Sequence, residues 1–303
     1  MGDTTGAVEK GPADMPTIPV QDQDLSRLPI GMFDSGIGGL TVLHECLVAM
    51  PEEDFVYFGD TLRFPYGPKS QIELETFADQ IAAFLDQKGV KLIVVACYSA
   101  TAAALPALQE RFSTPIVGVV MPGARAAVQS SRYRRIGVLA TEATVNRGSY
   151  VRAVHSLDVG AEVIQQACPG LAGFIQDGDI ASRELTEAVR DFTAPLKEQR
   201  PDVVIMGCTH YPLIAPLLQR QLGRDVTLVN PAAEVAAEVE VILARQGIGR
   251  QGVVGRVGGE GEYSFYCTGD PEAFRTVGAR FLQMPIDDVR KVPLADLEAA
   301  RRP

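Results

Sequence analysis

Closely spaced cysteine pairs are what this chain most plainly lacks. Its five cysteines stand far apart, at positions 46, 97, 168, 208 and 267 of 303 residues. That is an odd number in a chain too long to need covalent staples. They form no disulfide framework, and a reducing cytoplasm is the expected compartment. No C-x2-C run offers zinc a site, and His44 and Cys46 cannot share a helical face at a spacing of two. No metal is expected. A basic excess is missing too: the formal net charge is −10, which argues against a nucleic-acid partner. No apolar stretch reaches about 18 residues. The best candidate, from Leu92, is broken by Tyr98, Ser99, Thr101 and Pro106, so no membrane span is expected. With 46% hydrophobic and 22% charged residues, the chain reads as soluble and globular.

Residues 1–28 are rich in Asp, Gly, Pro and Thr without apolar periodicity, and read as a mobile tail. From Pro29 onward, short apolar runs alternate with helical patterns. Strands are predicted at 29–33, 54–58, 92–96 and 116–120, with helices over 40–49, 71–87 and 100–110. A second cycle opens with Arg135-Ile136-Gly137-Val138-Leu139-Ala140-Thr141. It continues through strand 161–164, a helix over 182–199 and strand 203–206. Strand 226–229 leads into helix 232–245. A Gly-rich loop at 248–261, a strand at 263–267 and a helix over 271–283 complete the order, and the polar tail 291–303 is expected to fray. Strands separated by helices indicate an α/β protein with mostly parallel sheets. The repeat of the cycle suggests two pseudo-symmetric lobes, each a parallel sheet flanked by helices, with a cleft between their carboxyl edges.

Ligands of open α/β sheets bind beyond the carboxyl ends of the strands. Two strands here end in a thiol. Leu92-Ile93-Val94-Val95-Ala96 runs into Cys97-Tyr98-Ser99, and Val203-Val204-Ile205-Met206-Gly207 into Cys208-Thr209-His210-Tyr211-Pro212. Cys208 with His210 can be a nucleophile and its base, or an acid–base pair. A lone buried cysteine is usually a small hydrophobe, and Cys46, Cys168 and Cys267 receive that reading, Cys168, before Pro169, less clearly. Asp34-Ser35-Gly36-Ile37-Gly38-Gly39 places a carboxylate and a hydroxyl at a third strand end, with glycines that can let backbone N–H groups approach an anion. It is neither a Walker loop nor a dinucleotide fingerprint, and a tight turn with a capping Asp or Ser explains it equally well. Two thiols across one pocket suit inversion of a carbon centre: one removes a proton from one face while the other returns one to the opposite face.

These motifs, with Pro65-Tyr66-Gly67 after Gly59-Asp60 and Cys267-Thr268-Gly269-Asp270-Pro271, resemble the glutamate racemases, cofactor-independent members of the aspartate/glutamate racemase superfamily. The resemblance runs from about Ile30 to Pro285. It implies a homodimer that interconverts L- and D-glutamate, supplying the D-enantiomer for peptidoglycan. It also implies that Cys97 handles the α-proton of D-glutamate with Asp34 assisting, and Cys208 that of L-glutamate with His210 assisting. Asp34, Ser35, Tyr66, Gly67, Tyr98, Ser99, Thr209 and His210 fall where the family contacts substrate, and Thr141 and Thr144 are expected to line the same pocket. The implied lobes are 29–121 plus 231–303, and 122–230.

Two departures stand out. The family's first cysteine is normally followed by Asn, and here by Tyr98, whose ring either swings out of the pocket or narrows it. Gln176-Asp177 stands where acidic residues in succession are expected. Open alternatives are a related racemase with another substrate such as aspartate, a weakened or non-catalytic relative, and a thiol hydrolase built on Cys208 and His210.

Overall fold

A computed structural model describes residues 24–250 and 261–300. The first half builds β1 (Ile30–Asp34), α1 (Leu40–Ala49), β2 (Phe55–Gly59), α2 (Gln71–Gln87), β3 (Leu92–Val95), α3 (Tyr98–Arg111), β4 (Ile116–Gly118) and α4 (Val120–Ser130). Next come β5 (Arg135–Ala140), α5 (Glu142–Asn146), α6 (Ser149–Leu157), β6 (Glu162–Ala167), α7 (Leu171–Gln176), α8 (Arg183–Gln199), β7 (Val203–Gly207), α9 (Ala215–Leu222) and β8 (Thr227–Val229). The chain then returns through α10 (Ala232–Gln246), β9 (Tyr263–Cys267), α11 (Pro271–Leu282), β10 (Val289–Lys291) and α12 (Leu294–Ala300).

Every strand pairs in parallel with its neighbours. Six form one sheet in the order β10-β9-β2-β1-β3-β4, and four form a second in the order β6-β5-β7-β8. Parallel strands covered on both faces need continuous apolar runs, and β1, β2, β3 and β7 are buried at every position. The two orders carry the expected symmetry: second, first, third, fourth strand in each sheet. Thus β3 and β7, which deliver Cys97 and Cys208, are equivalent, as are β1 and β5, which deliver Asp34 and Thr141. One hydrophobic cluster includes core residues of both sheets, among them Met32, Val94, Val138 and Ile205.

Several elements differ from the sequence reading. The strand expected over 116–120 stops at Gly118, and the chain turns at once into α4. Gly118 is pressed against Thr101, leaving no room for a side chain. Helices α5 and α6 escaped notice because they are short. The tail expected to fray from 291 instead adds β10 to the sheet edge and lays α12 against α2. Leu297 is fully buried there, and Gln87 donates to the Ala300 carbonyl at 3.0 Å. Part of the expected N-terminal tail is also ordered: Asp24 caps a single turn at Leu25–Arg27, and Lys91 Nζ reaches the Ser26 carbonyl at 3.0 Å. The rest of the tail, most of the Gly-rich loop and residues 301–303 lie outside the described residues. Among those described, no helix is long and apolar enough to cross a membrane.

Candidate functional site

The carboxyl edges of the two sheets enclose a cavity of ≈ 100 Å³, room for a small molecule and not for a polymer. Cys97, Ser99 and Ser35 line it from the first sheet, Thr141, Cys208 and Thr209 from the second. Parallel register explains the grouping. The N–H of Ala96 donates to the Phe33 carbonyl at 2.9 Å, so Cys97 emerges beside Asp34. Ala140 is in register with Gly207, so Thr141 emerges beside Cys208.

Asp34 is fully buried behind the thiol of Cys97 and does not itself line the cavity. Its Oδ2 accepts from the Gly36 N–H at 3.1 Å, and its Oδ1 has no hydrogen-bond partner. Burial raises its pKa, against the opposing pull of the Gly39, Gly36 and Ser35 N–H groups and the Cys97 thiol. Burial likewise pushes the Cys97 thiol up to about 12, with the Asp34 charge adding to the rise; the Ala100 N–H and the hydroxyl and N–H of Ser35 lower it. Cys97 caps α3, so its sulfur meets the positive end of that helix.

Cys208 is also raised, first by burial, against the His210 N–H. Its sulfur lies 3.7 Å from His210 Nδ1, and Thr209 Oγ1 lies 3.3 Å from the same nitrogen. On the far side of the ring, Nε2 meets Gln176 Oε1 at 3.0 Å. An amide oxygen only accepts, so Nε2 carries the proton and Nδ1 presents its lone pair to the thiol. Burial depresses the His210 pKa to about 3. The imidazole is neutral, clamped between the rings of Phe64 and Phe281, each 5.5 Å away.

The glycines of the Asp34–Gly39 turn allow close approach of the lobes. A Cβ on Gly38 would sit 2.5 Å from His210 Cε1, and one on Gly36 would sit 2.9 Å from Gln176 Oε1. Thr41 Oγ1 spans the same junction to the Thr209 carbonyl at 3.0 Å. At the other side of the cleft Ser99 Oγ and Thr141 Oγ1 are 2.8 Å apart, and the Ala143 N–H donates to the Gly67 carbonyl at 3.1 Å. The two lobes thus touch on both sides of the thiols.

Three more of the expected residues have partners within the protein. Tyr66 lines the cavity, but its hydroxyl points away and donates to Asp60. Tyr98 lines the cavity as well, yet its ring is buried and stacked on Tyr150 of the other lobe, centroids 6.4 Å apart. Thr144 is fully buried, 3.2 Å behind Thr141 Oγ1, and is not among the lining residues, because one helical residue caps the other. Two residues have no site role in the sequence reading, where Cys168 is structural. Gln176 is visible there only as a departure from the resemblance. Cys168, which lines the cavity, follows β6 as Asp60 follows β2, so the symmetry of the sheets is the signal that finds it. None of the lining residues is Lys or Arg, so an anionic ligand would be held by hydroxyls and by N–H groups at strand-end turns.

Fold and site together define a two-lobed α/β protein with a thiol poised on each wall of one small cavity. A family model described as Asp/Glu/Hydantoin racemase matches residues 40–239. The glutamate racemase of Desulforudis audaxviator is 38% identical over 275 residues, covering 89% of this chain and 99% of that one. Among solved structures, a glutamate racemase isoform of Bacillus anthracis aligns with a TM-score of 0.84 at 38% identity, covering 89% of this chain and 98% of its own. A Francisella tularensis glutamate racemase, solved in complex with D-glutamate, gives 0.82 at 32% identity, covering 89% and 99%. The chain belongs to the Asp/Glu/hydantoin racemase family.

Proposed function

We propose that this chain interconverts L- and D-glutamate by proton transfer at the α-carbon between Cys97 and Cys208, and so supplies D-glutamate for peptidoglycan. The observation that carries the reading is the placement of two thiols at equivalent strand ends of two sheets, facing one cavity, each with its own proton acceptor. Burial holds both thiols neutral, so each must pass its proton to a neighbour before acting as a base: Cys97 to Asp34, Cys208 to Nδ1 of His210. Starting from L-glutamate, the Cys208 thiolate takes the α-proton and the C–H electron pair stays on the α-carbon, delocalised into the carboxylate. Cys97 then gives its proton to the opposite face and is left as the thiolate. D-glutamate reverses the roles. Ser35, Ser99, Thr141 and Thr209 hydroxyls, with backbone N–H groups at Gly67 and the start of α3, hold the two carboxylates. In this reading residues 29–121 plus 231–303 and 122–230 are the two lobes, and the enzyme works as a homodimer in the cytoplasm.

The test is conversion of L-glutamate in deuterium oxide without added cofactor. The product is D-glutamate carrying one solvent deuterium at the α-carbon. Turnover of aspartate in place of glutamate would overturn the substrate. Activity absent from the native chain and present in Tyr98→Asn would mean that the Tyr98–Tyr150 stack has displaced a substrate contact.

A further inference from the structure

Asp60 is a fully buried carboxylate that the proton transfers do not use. It ends the loop side of β2, and its backbone N–H donates to the Asp34 carbonyl at 3.0 Å. Its Oδ2 accepts from Tyr66 Oη at 2.5 Å and from Arg63 Nε at 2.6 Å. Its Oδ1 accepts from Thr268 Oγ1 at 3.0 Å, and Thr268 Oγ1 in turn accepts from the Leu62 N–H at 2.9 Å. Arg63 is held from its other side by Gln80 at 2.6 Å and lies 4.1 Å over the Phe77 ring. One carboxylate thus gathers the end of β1, the loop 61–67 and the turn after β9. The loop's outer end is Tyr66-Gly67, which lines the cavity and makes the cross-lobe bond to Ala143.

We infer that Asp60 is a positioning residue for substrate binding: through the Tyr66 hydroxyl it fixes where the Tyr66–Gly67 wall meets the substrate, without touching the substrate itself. The inference rests on the racemase reading above and extends it. Three donors converge on Asp60, and a carboxylate, which only accepts, satisfies all three. An amide must turn its NH2 toward one of them. That loses a charge-assisted bond and leaves a buried donor unpaired.

The experiment is a double-mutant cycle on Asp60→Asn and Tyr66→Phe, read as KM and kcat for glutamate in both directions. Each single variant should raise KM about tenfold with kcat changed by less than about threefold, and the double variant should be no worse than Asp60→Asn alone. Effects that multiply, or a Tyr66→Phe variant with native KM, would overturn the inference. If Asp60→Asn does not fold, Thr268→Val removes one donor and keeps the carboxylate, and it should raise KM in the same sense; native KM in that variant would refute the proposal. A second readout needs no substrate. Loosening the wall should speed alkylation of the Cys97 thiol by iodoacetamide, and an unchanged rate would count against Asp60. A native chain inert toward glutamate would defeat the racemase reading alone, since the alkylation rates still decide the role of Asp60.

Discussion

Replacing Gln176 by Glu should convert His210 from a neutral acceptor into a group that titrates in an accessible range. In the native chain the imidazole is buried, its pKa is depressed to about 3, and its Nε2 faces an uncharged amide oxygen at 3.0 Å. The substitution keeps the shape and places a carboxylate there. Opposite charges about 4 Å apart attract by roughly 4 kcal/mol at an effective dielectric of 20. Part of that is lost in desolvating the new carboxylate, so a rise of about 1–3 pKa units is expected. His210 would then titrate at roughly 4–6. The acid limb of kcat/KM should move up by the same amount, because a protonated His210 cannot receive the Cys208 proton. Stability follows the same sign. A histidine whose folded pKa lies below its unfolded value of 6.5 binds fewer protons when folded, so stability falls as pH drops from about 6.5 toward 3, by about 1.4 kcal/mol per unit. In Gln176→Glu that fall should level off at the new, higher pKa. Titration of the His210 Cε1–H by NMR, with urea unfolding at stepped pH, measures both effects. An unmoved His210 titration would refute the coupling of Gln176 to the ring.

Removing one thiol should separate exchange from inversion. Cys97→Ser should lower racemisation by about 10²–10⁴-fold yet still exchange the α-proton of L-glutamate with solvent, and Cys208→Ser should do the same for D-glutamate; loss of exchange on both enantiomers in either variant would contradict the two-base assignment. Gly38→Ala drives a Cβ to within 2.5 Å of His210 Cε1 and should cost about 1–3 kcal/mol in urea unfolding, with loss of activity; native stability and rate would show that the lobes can part there freely. Lys91→Met breaks a buried ion pair, Nζ to Glu53 Oε2 at 2.6 Å, and frees Ser26 and the Ile248 carbonyl. It should destabilise by about 3–5 kcal/mol without changing KM, and a loss below about 1 kcal/mol would mean that water replaces the pair.

The parallel sheets were legible because β1, β3 and β7 are buried on both faces and therefore read as unbroken apolar runs. The strand-end chemistry was legible for the same reason, since each run stops at a polar group with a fixed direction. What stayed hidden lies between lobes. No pattern along the chain says that Gly38 is small for the sake of His210, which is 172 positions away, or that Tyr98 stacks on Tyr150. Tyr66 is legible only through the resemblance, and nothing in its polar loop says that its hydroxyl goes to Asp60. Tail residues 291–300 looked ready to fray because Val292, Leu297 and Ala300 are diluted among charges, and only α2 reveals the face they cover.

The two halves of the site are symmetric in frame and unlike in chemistry. Equivalent strands deliver the two thiols, but a carboxyl serves one and an imidazole the other. Enantiomers in water have equal free energy, so the equilibrium constant is one, and kcat/KM must be the same in both directions whatever the helpers are. The difference between Asp34 and His210 therefore cannot appear in that ratio. It can appear only as kcat and KM that rise or fall together between directions, according to which protonation state the free enzyme prefers. Burial raises both thiols, Cys97 to about 12 and Cys208 also upward. The choice therefore passes to their neighbours: Asp34, whose raised pKa makes it a better proton acceptor than an exposed carboxylate, and His210, whose depressed pKa makes it a poorer one than an exposed imidazole. These shifts reverse the usual order of the two groups: the imidazole falls to about 3, below a carboxyl that burial lifts above its ordinary 3.8. Burial thus leaves Cys97 beside the stronger proton acceptor and Cys208 beside the weaker one.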